Sequence, residues 1–153
     1  MAALSNDAPP FKPLHGGALV LLTAAVALRP HDPDLLVDRA HAFAMKPDWL
    51  AASDDLTKAI ALVPNRSSLY VLRASALHAA GRKKEAREDV DRAIKIDPGN
   101  ADAMELRGEM KMEAGDEAGA KSDWQATIAQ APRSSAASDA RDRLNALSQP
   151  AKR

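Results

Sequence analysis

Residues 67–100 decide the fold, and they read SSLYVLRASALHAAGRKKEAREDVDRAIKIDPGN. The first half of this stretch spaces apolar and small residues three and four apart, which is the pattern of one helix face. Gly81 predicts the end of that helix, because glycine adopts the left-handed conformation of a C-terminal cap at little cost. A second helical pattern follows and stops at Pro98, inside a strong turn signal. The stretch therefore predicts a helical hairpin.

The same pattern returns at equal intervals along the chain, and the step from one proline of the series to the next is its period. Several columns of the repeat stay in phase, namely Pro30, Pro64, Pro98 and Pro132; Ala18, Ala52, Ala86 and Ala120; Arg39, Arg73, Arg107 and Arg141; and Asp55, Asp89 and Asp123. A single hairpin of this kind cannot bury its apolar face alone, so the units must stack on one another. Small residues on both helices predict close backbone approach, and Asp32, Asn100 and Ser134 are placed to cap the first helices.

A 34-residue helix–turn–helix with these small residues and a closing proline resembles the tetratricopeptide repeat (TPR). The resemblance implies an all-α fold, a right-handed TPR-type helical solenoid with three full repeats over residues 33–66, 67–100 and 101–134. A half-repeat helix within residues 14–32 precedes them, and a capping helix over 135–148 follows. Residues 1–13, rich in proline, and 149–153 are expected to be flexible. Pro47, Lys111 and Gln130 depart from the pattern, and the third repeat is the weakest match.

Composition excludes several functions. Lysine plus arginine equals aspartate plus glutamate, 21 each, so a neutral chain offers no electrostatic case for binding nucleic acid or an anionic membrane. There are no cysteines, which excludes disulfides and thiolate metal sites. No apolar run reaches the ~20 residues that a membrane-spanning helix needs. The compartment stays open between cytoplasm and periplasm, and the alanine- and arginine-rich helices suggest a bacterial source.

Catalytic and metal chemistry find no support in the residue spacing. The histidines are His15, His31, His41 and His78, and none has a second ligand at a metal-binding spacing. We therefore predict no enzyme activity, no metal and no cofactor. The repeated arginines each precede an aspartate by one constant interval, which brings the two side chains together within one hairpin. We interpret these columns as internal ion pairs and not as a ladder of arginines for an anionic ligand.

The family resemblance implies that a ligand lies along the concave face formed by the first helices. Carried over by position, the groove consists of Val37, His41, Met45, Val71, Ser75, His78, Glu105, Glu109, Met112 and Glu113. The lysines and asparagines with which some TPR proteins clamp a C-terminal carboxylate are absent here. The groove is apolar in the first two repeats and acidic in the third, where Asp102, Glu105, Glu109 and Glu113 share a helix face. This favours an unidentified protein or peptide with a basic or amide-rich segment, and a role as scaffold or adaptor.

The N-terminal helical pattern, Leu14 to Arg29, is in phase with a second helix but has no first helix before it. It is apolar all round, and such a helix is normally buried. One explanation of this apolar face is that a neighbouring helix has been lost from the chain. Another is that the helix inserts at a membrane surface. The interpretation that we prefer is a homodimer through residues 14–29, with Leu19, Val20 and Leu21 in the contact. Self-association is therefore the alternative function, beside the binding of another protein.

Overall fold

The computed structural model describes residues 17–149, and this part of the chain consists of α-helices without any β-strand. The helices are α1 (Gly17–Leu28), α2 (Pro33–Ala44), α3 (Trp49–Leu62), α4 (Ser67–Ala79), α5 (Lys83–Ile96), α6 (Ala101–Glu113), α7 (Glu117–Gln130) and α8 (Ser135–Ser148). The predicted all-α solenoid is confirmed, with α2–α3, α4–α5 and α6–α7 as its three hairpins and α1 and α8 at its ends. Residues 1–16 and 150–153, which include the predicted flexible segment 1–13, lie outside the described residues.

Polar side chains cap three of the helices at the predicted positions. Asp32, Asn100 and Ser134 each accept a hydrogen bond from a backbone N–H in the first turn of the following helix. The second repeat differs, because Arg66 occupies this position and offers no oxygen to the helix. Arg66 instead donates a hydrogen bond of 2.7 Å to Asp34 in the first turn of α2, so this residue ties the start of α4 to the start of α2.

Glycine ends the first helices of the second and third repeats for a conformational reason. Gly81 and Gly115 have φ values of +80° and +84°, the left-handed region that a side chain disfavours. Gly108 has a different role, because a Cβ atom there would lie 2.5 Å from Nε1 of Trp124. The other repeats carry Leu56 and Val90 where the third carries this tryptophan. The larger ring therefore requires the smaller residue opposite it.

Each hairpin is closed by the ion pair that the spacing of arginine and aspartate predicts. Two hydrogen bonds join each pair, at 2.6 and 2.8 Å for Arg39–Asp55, 2.7 and 2.7 Å for Arg73–Asp89, and 2.9 and 2.7 Å for Arg107–Asp123. The three aspartates are buried, so the arginines satisfy carboxylates that water does not reach. The prediction of internal ion pairs is confirmed. The fourth arginine of the column, Arg141, donates to the carbonyl of Pro132 at 2.6 Å instead.

The core is built from alanine and aliphatic side chains and is divided in two. One cluster runs from α1 to α6, and its alanines in α3 and α5 are 0–1% exposed, which allows the close approach of the helices. A second cluster joins the third repeat to α8 through Ala120, Trp124 and Ala140. Helix α8 therefore packs on the third hairpin and buries Ala136, Ala137 and Ala140, whereas α1 buries only Val26.

Candidate protein-binding surface at the repeat junctions

The apolar part of the predicted groove is only partly open to a ligand. His41, Met45 and Ser75 are exposed, and Met45 is 84% exposed at the end of α2. Val71 is buried in the core, and Val37 is half-buried against it. In this region a ligand can therefore contact only the exposed side chains and the space between them.

That space is a cavity where the first repeat meets the second, which we call the first-junction cavity. Its volume is about 310 Å³, and it lies between α2, α3 and α4. It is lined by Ala40, His41, Ala44, Trp49, Ala52, Leu56, Leu72, Ser75, Ala76 and Ala79. Among these, only His41 and Ser75 are polar, and the Ser75 hydroxyl already donates to the carbonyl of Val71 at 3.0 Å. The cavity is an apolar recess with a histidine on its wall.

The acidic part of the groove is partly neutralised from within the chain. Arg143 of α8 lies 2.8 Å from Glu105, outside the geometry of a directed hydrogen bond, and donates a hydrogen bond of 3.0 Å to Glu109. The same guanidinium stands 5.7 Å from the ring centre of Trp124. Burial raises the pKa of Glu105, and the positive charge of Arg143 offsets only part of that effect. The acidic stripe is thus tied to the capping helix.

A second cavity lies where the second repeat meets the third, and we call it the second-junction cavity. Its volume is about 120 Å³, and its lining residues are His78, Lys83, Arg87, Met110, Glu113 and Ala114. Glu113 is held from two sides, by Nε2 of His78 at 3.0 Å and by Nζ of Lys83 at 2.8 Å. The hydrogen bond from Lys83 is the main cause of a lowered pKa for Glu113, and His78 adds to it. Glu109 stands close by, so that one ligand atom each from His78, Glu109 and Glu113 lies within 4.8 Å of the others.

Met112, the remaining residue of the predicted groove, packs against the second core cluster beside Trp124. Three further residues of the surface were missed by sequence reasoning, namely Trp49, Lys83 and Arg143. Trp49 and Lys83 lie one period apart, so the repeat marks them as equivalent positions. Arg143 likewise follows Glu109 by one period. The phase therefore marks Trp49 and Lys83 as the first residues of second helices. It does not specify that Arg143 meets Glu109, because the period alone does not determine which side chains meet between repeats.

The residues predicted for self-association lie on α1. Val20 and Leu21 are 69% and 72% exposed, while Leu19 is half-buried. Leu28, at the end of the same helix, is 84% exposed. The helix therefore presents several large apolar side chains that no other part of residues 17–149 covers. No helix among these residues combines the length and the apolar character that crossing a bilayer requires.

The geometry defines a helical-repeat solenoid, a class of proteins whose surfaces commonly serve to bind other proteins. Within that class, residues 67–110 match the family model of the tetratricopeptide repeat, so the chain carries a tetratricopeptide repeat and the resemblance is confirmed. No curated protein sequence matches the chain. The repeat family and the fold are generally those of non-catalytic interaction modules.

Solved structures show the same fold. A MamA crystal structure is 21% identical with a TM-score of 0.69, over 77% of this chain and 69% of that one. The TPR domain of Arabidopsis OM64 is 23% identical with a TM-score of 0.66, over 75% and 95%. The first TPR of Spaghetti (RPAP3), bound to the HSP90 peptide SRMEEVD, is 21% identical with a TM-score of 0.64, over 76% and 94%. The described chain therefore has the fold of TPR solenoids.

Proposed function

We propose that this chain is a non-catalytic scaffold or adaptor that binds a peptide or protein segment by taking an apolar side chain into the first-junction cavity. The observation that carries the proposal is the cavity itself, about 310 Å³ and apolar on most of its wall. Ligand pockets in proteins begin at about 300 Å³ and combine an apolar lining with a few polar groups. His41 and Ser75 supply those polar groups at the edge where a ligand backbone would pass.

The charge of the surface favours a ligand without an acidic tail. The positions that clamp a carboxylate in some TPR proteins form two columns here, and neither holds lysine or asparagine: the first is Val37, Val71 and Glu105, and the second is His41, Ser75 and Glu109. Spaghetti was solved with an acidic peptide, whereas Glu105, Glu109 and Glu113 of this chain repel such a ligand. Arg143 and Lys83 balance two of these three charges, so a single basic residue of the ligand completes the balance.

A peptide selected from a random display library against the purified chain tests the proposal. Ser75→Trp fills the mouth of the first-junction cavity from an exposed position, and we expect it to weaken binding by about tenfold or more, or ~1.4 kcal/mol. Ala61→Trp places the same side chain on an exposed position of α3 outside the cavity and serves as the matched control. Equal affinity for the Ser75→Trp variant and the unchanged chain, measured by calorimetry, would remove the cavity from the binding surface.

The charge component has its own test with the same peptide. Glu109→Lys reverses one charge beside the groove, and it should weaken a basic peptide more at low salt than at high salt, because ions screen exposed charges. Binding that is independent of both salt and Glu109→Lys would show that the acidic stripe serves only to hold α8. The cavity test is unaffected by that outcome.

Self-association through α1 is a second candidate function, favoured by the exposure of Val20, Leu21 and Leu28. Burying a side chain of this kind contributes about 1.5–3 kcal/mol, so one such face per chain supports a dimer. A two-fold arrangement would pack the exposed apolar face of each α1 against the same face of the other copy. The contact would then include Leu19, Val20 and Leu21.

Light scattering coupled to gel filtration decides between these roles. The unchanged chain should form a dimer at high concentration, and Val20→Lys with Leu21→Lys should return it to a monomer. Ala61→Lys, at an exposed position of α3, is the control for added charge. A monomer at every concentration would dismiss self-association and leave the groove as the one proposed binding surface.

A further inference from the structure

We propose that His78, Glu109 and Glu113 form a binding site for a divalent transition metal ion such as zinc at the second junction. The inference goes beyond peptide binding and does not depend on it. One nitrogen or oxygen atom from each of the three side chains lies within 4.8 Å of the others. In a tetrahedral zinc site with bonds of about 2.0–2.2 Å the ligand atoms stand roughly 3.3–3.6 Å apart, so small side-chain rotations would bring these three atoms onto one ion.

Rigid elements bring the three ligands together. Glu109 and Glu113 are four residues apart in α6, so their carboxylates point from the same helix face. His78 comes from α4 of the preceding repeat, and its Nε2 already lies 3.0 Å from Oε1 of Glu113. Both helices belong to the packed solenoid, so an ion would not have to order a loop.

The donor set selects the kind of metal. An imidazole nitrogen with two carboxylates suits zinc and its neighbours, whereas magnesium and calcium take oxygen ligands almost entirely. Three protein ligands leave zinc one open position, which a water molecule occupies in sites of this type. The second-junction cavity, about 120 Å³ and lined by His78 and Glu113, has room for that water.

The two carboxylates are now paired with cations of the chain, and these would compete with a metal. Nζ of Lys83 lies 2.8 Å from Glu113, and its side chain is 67% exposed, so it can turn into solvent at little cost. Arg143 pairs with Glu109 and also with Glu105, so it keeps one carboxylate when Glu109 turns to an ion. The negative charge of the site is thus already drawing positive groups to it.

The histidine sets the main cost of binding. Its Nδ1 is buried and has no hydrogen-bond partner among residues 17–149. An ion on Nε2 requires the proton of the neutral ring to sit on Nδ1, where it lacks an acceptor, and a buried donor without a partner is unfavourable. The bond between metal and nitrogen has to offset this cost, so we expect modest affinity.

Calorimetric titration of the metal-stripped full chain with zinc chloride tests the site. We expect one ion per chain, and cobalt(II) should give the visible absorption of a low-coordinate site with a nitrogen ligand. His78→Ala and Glu113→Gln should each lower the affinity by about 100-fold or more, because losing an outer partner of a metal ligand alone costs about 10–100-fold. His31→Ala and His41→Ala remove an imidazole elsewhere and should leave the affinity unchanged.

Lys83→Ala separates a metal site from a purely structural ion-pair cluster. Removing the competing ammonium should tighten zinc binding if Glu113 is a ligand. In a structural cluster the same change lowers stability without any effect on zinc. The proposal is overturned by the absence of binding, by binding that survives His78→Ala, or by a zinc affinity that Lys83→Ala does not raise.

Discussion

The first and second junctions form a cavity at the same place in the solenoid and line it with opposite chemistry. Residues at equivalent positions, one period apart, are Ala44 and His78, Trp49 and Lys83, and Ala79 and Glu113. In the first junction these positions are apolar, and the cavity stays open at about 310 Å³. In the second junction they are charged or polar, pair with one another and leave about 120 Å³. A fourth pair of lining residues, Ala76 and Met110, also adds bulk to the second cavity. The period of the repeat thus determines where a recess forms, while the side chains that line it determine its size and polarity.

The two cavities can be compared because the scaffold around them is the same. Each hairpin carries the arginine–aspartate pair with two hydrogen bonds, at Arg39–Asp55 in the first repeat and Arg73–Asp89 in the second. In the second repeat, Arg73 also donates a hydrogen bond of 3.0 Å to Thr57 of the first repeat. Differences in ligand chemistry can therefore be assigned to the lining residues.

The largest effect should come from removing the scaffold. Asp89→Ala and Asp55→Ala each leave a half-buried arginine without its carboxylate, and breaking a buried pair in this way costs up to about 3–5 kcal/mol. We expect similar losses for the two variants in urea unfolding, with Asp102→Ala, an exposed acid, close to the unchanged chain. Clearly unequal losses of stability would mean that the two junctions do not share one scaffold. An unchanged melting temperature would mean that the ion pairs contribute nothing to stability.

A smaller effect extends the comparison to the third repeat. Gly108→Ala places a Cβ against Trp124 and should cost about 1–3 kcal/mol, the usual range for overpacking. In a Trp124→Leu background, which restores the residue type of the first repeat, the added cost of Gly108→Ala should largely disappear. A double-mutant cycle from urea unfolding measures this coupling. Equal costs in the two backgrounds would contradict the explanation of Gly108 by the tryptophan.

The smallest effect is a pH dependence that we expect at the second junction and not at the first. The pKa of Glu113 is lowered from the ordinary 4.5, chiefly by Lys83, so its ion pairs contribute at pH values above 4.5 and are lost as the pH falls through the lowered pKa. NMR titration of the Glu113 carboxyl should give a midpoint below 4.5, and Lys83→Ala should move it upward. Resonances of Trp49 and Ala79 should not follow that titration. A midpoint at or above 4.5 would show that the pairs do not form in solution.

Sequence alone predicted the elements that depend on one repeat unit. The helix–turn–helix period, the caps at Asp32, Asn100 and Ser134, and the arginine–aspartate pairs within each hairpin all follow from local spacing. These features form within a hairpin or at its ends, where distance along the chain determines distance in space.

The contacts between repeats were not predicted in the same way. His78 meets Glu113, and Arg143 meets Glu109, across 35 and 34 residues. Which side chains meet there depends on the rotation of one repeat against the next and on the reach of long side chains, and the period specifies neither. The burial of Val71 has the same origin, because its neighbours lie in other helices. The acidic side chains therefore lie on one helix face, as the sequence indicated, but the capping helix contacts part of that face.

The single buried residue of α1 has a consequence for how the solenoid comes apart. Each unit of a repeat protein is held by its contacts with the next, so α1, which buries one side chain, Val26, has the weakest attachment among the described helices. Its backbone amides should exchange with deuterium well before those of α4 and α5, whose neighbours hold them on both sides. Unfolding would then begin at α1. This apolar helix would separate from the rest of the solenoid while the two junctions stay intact.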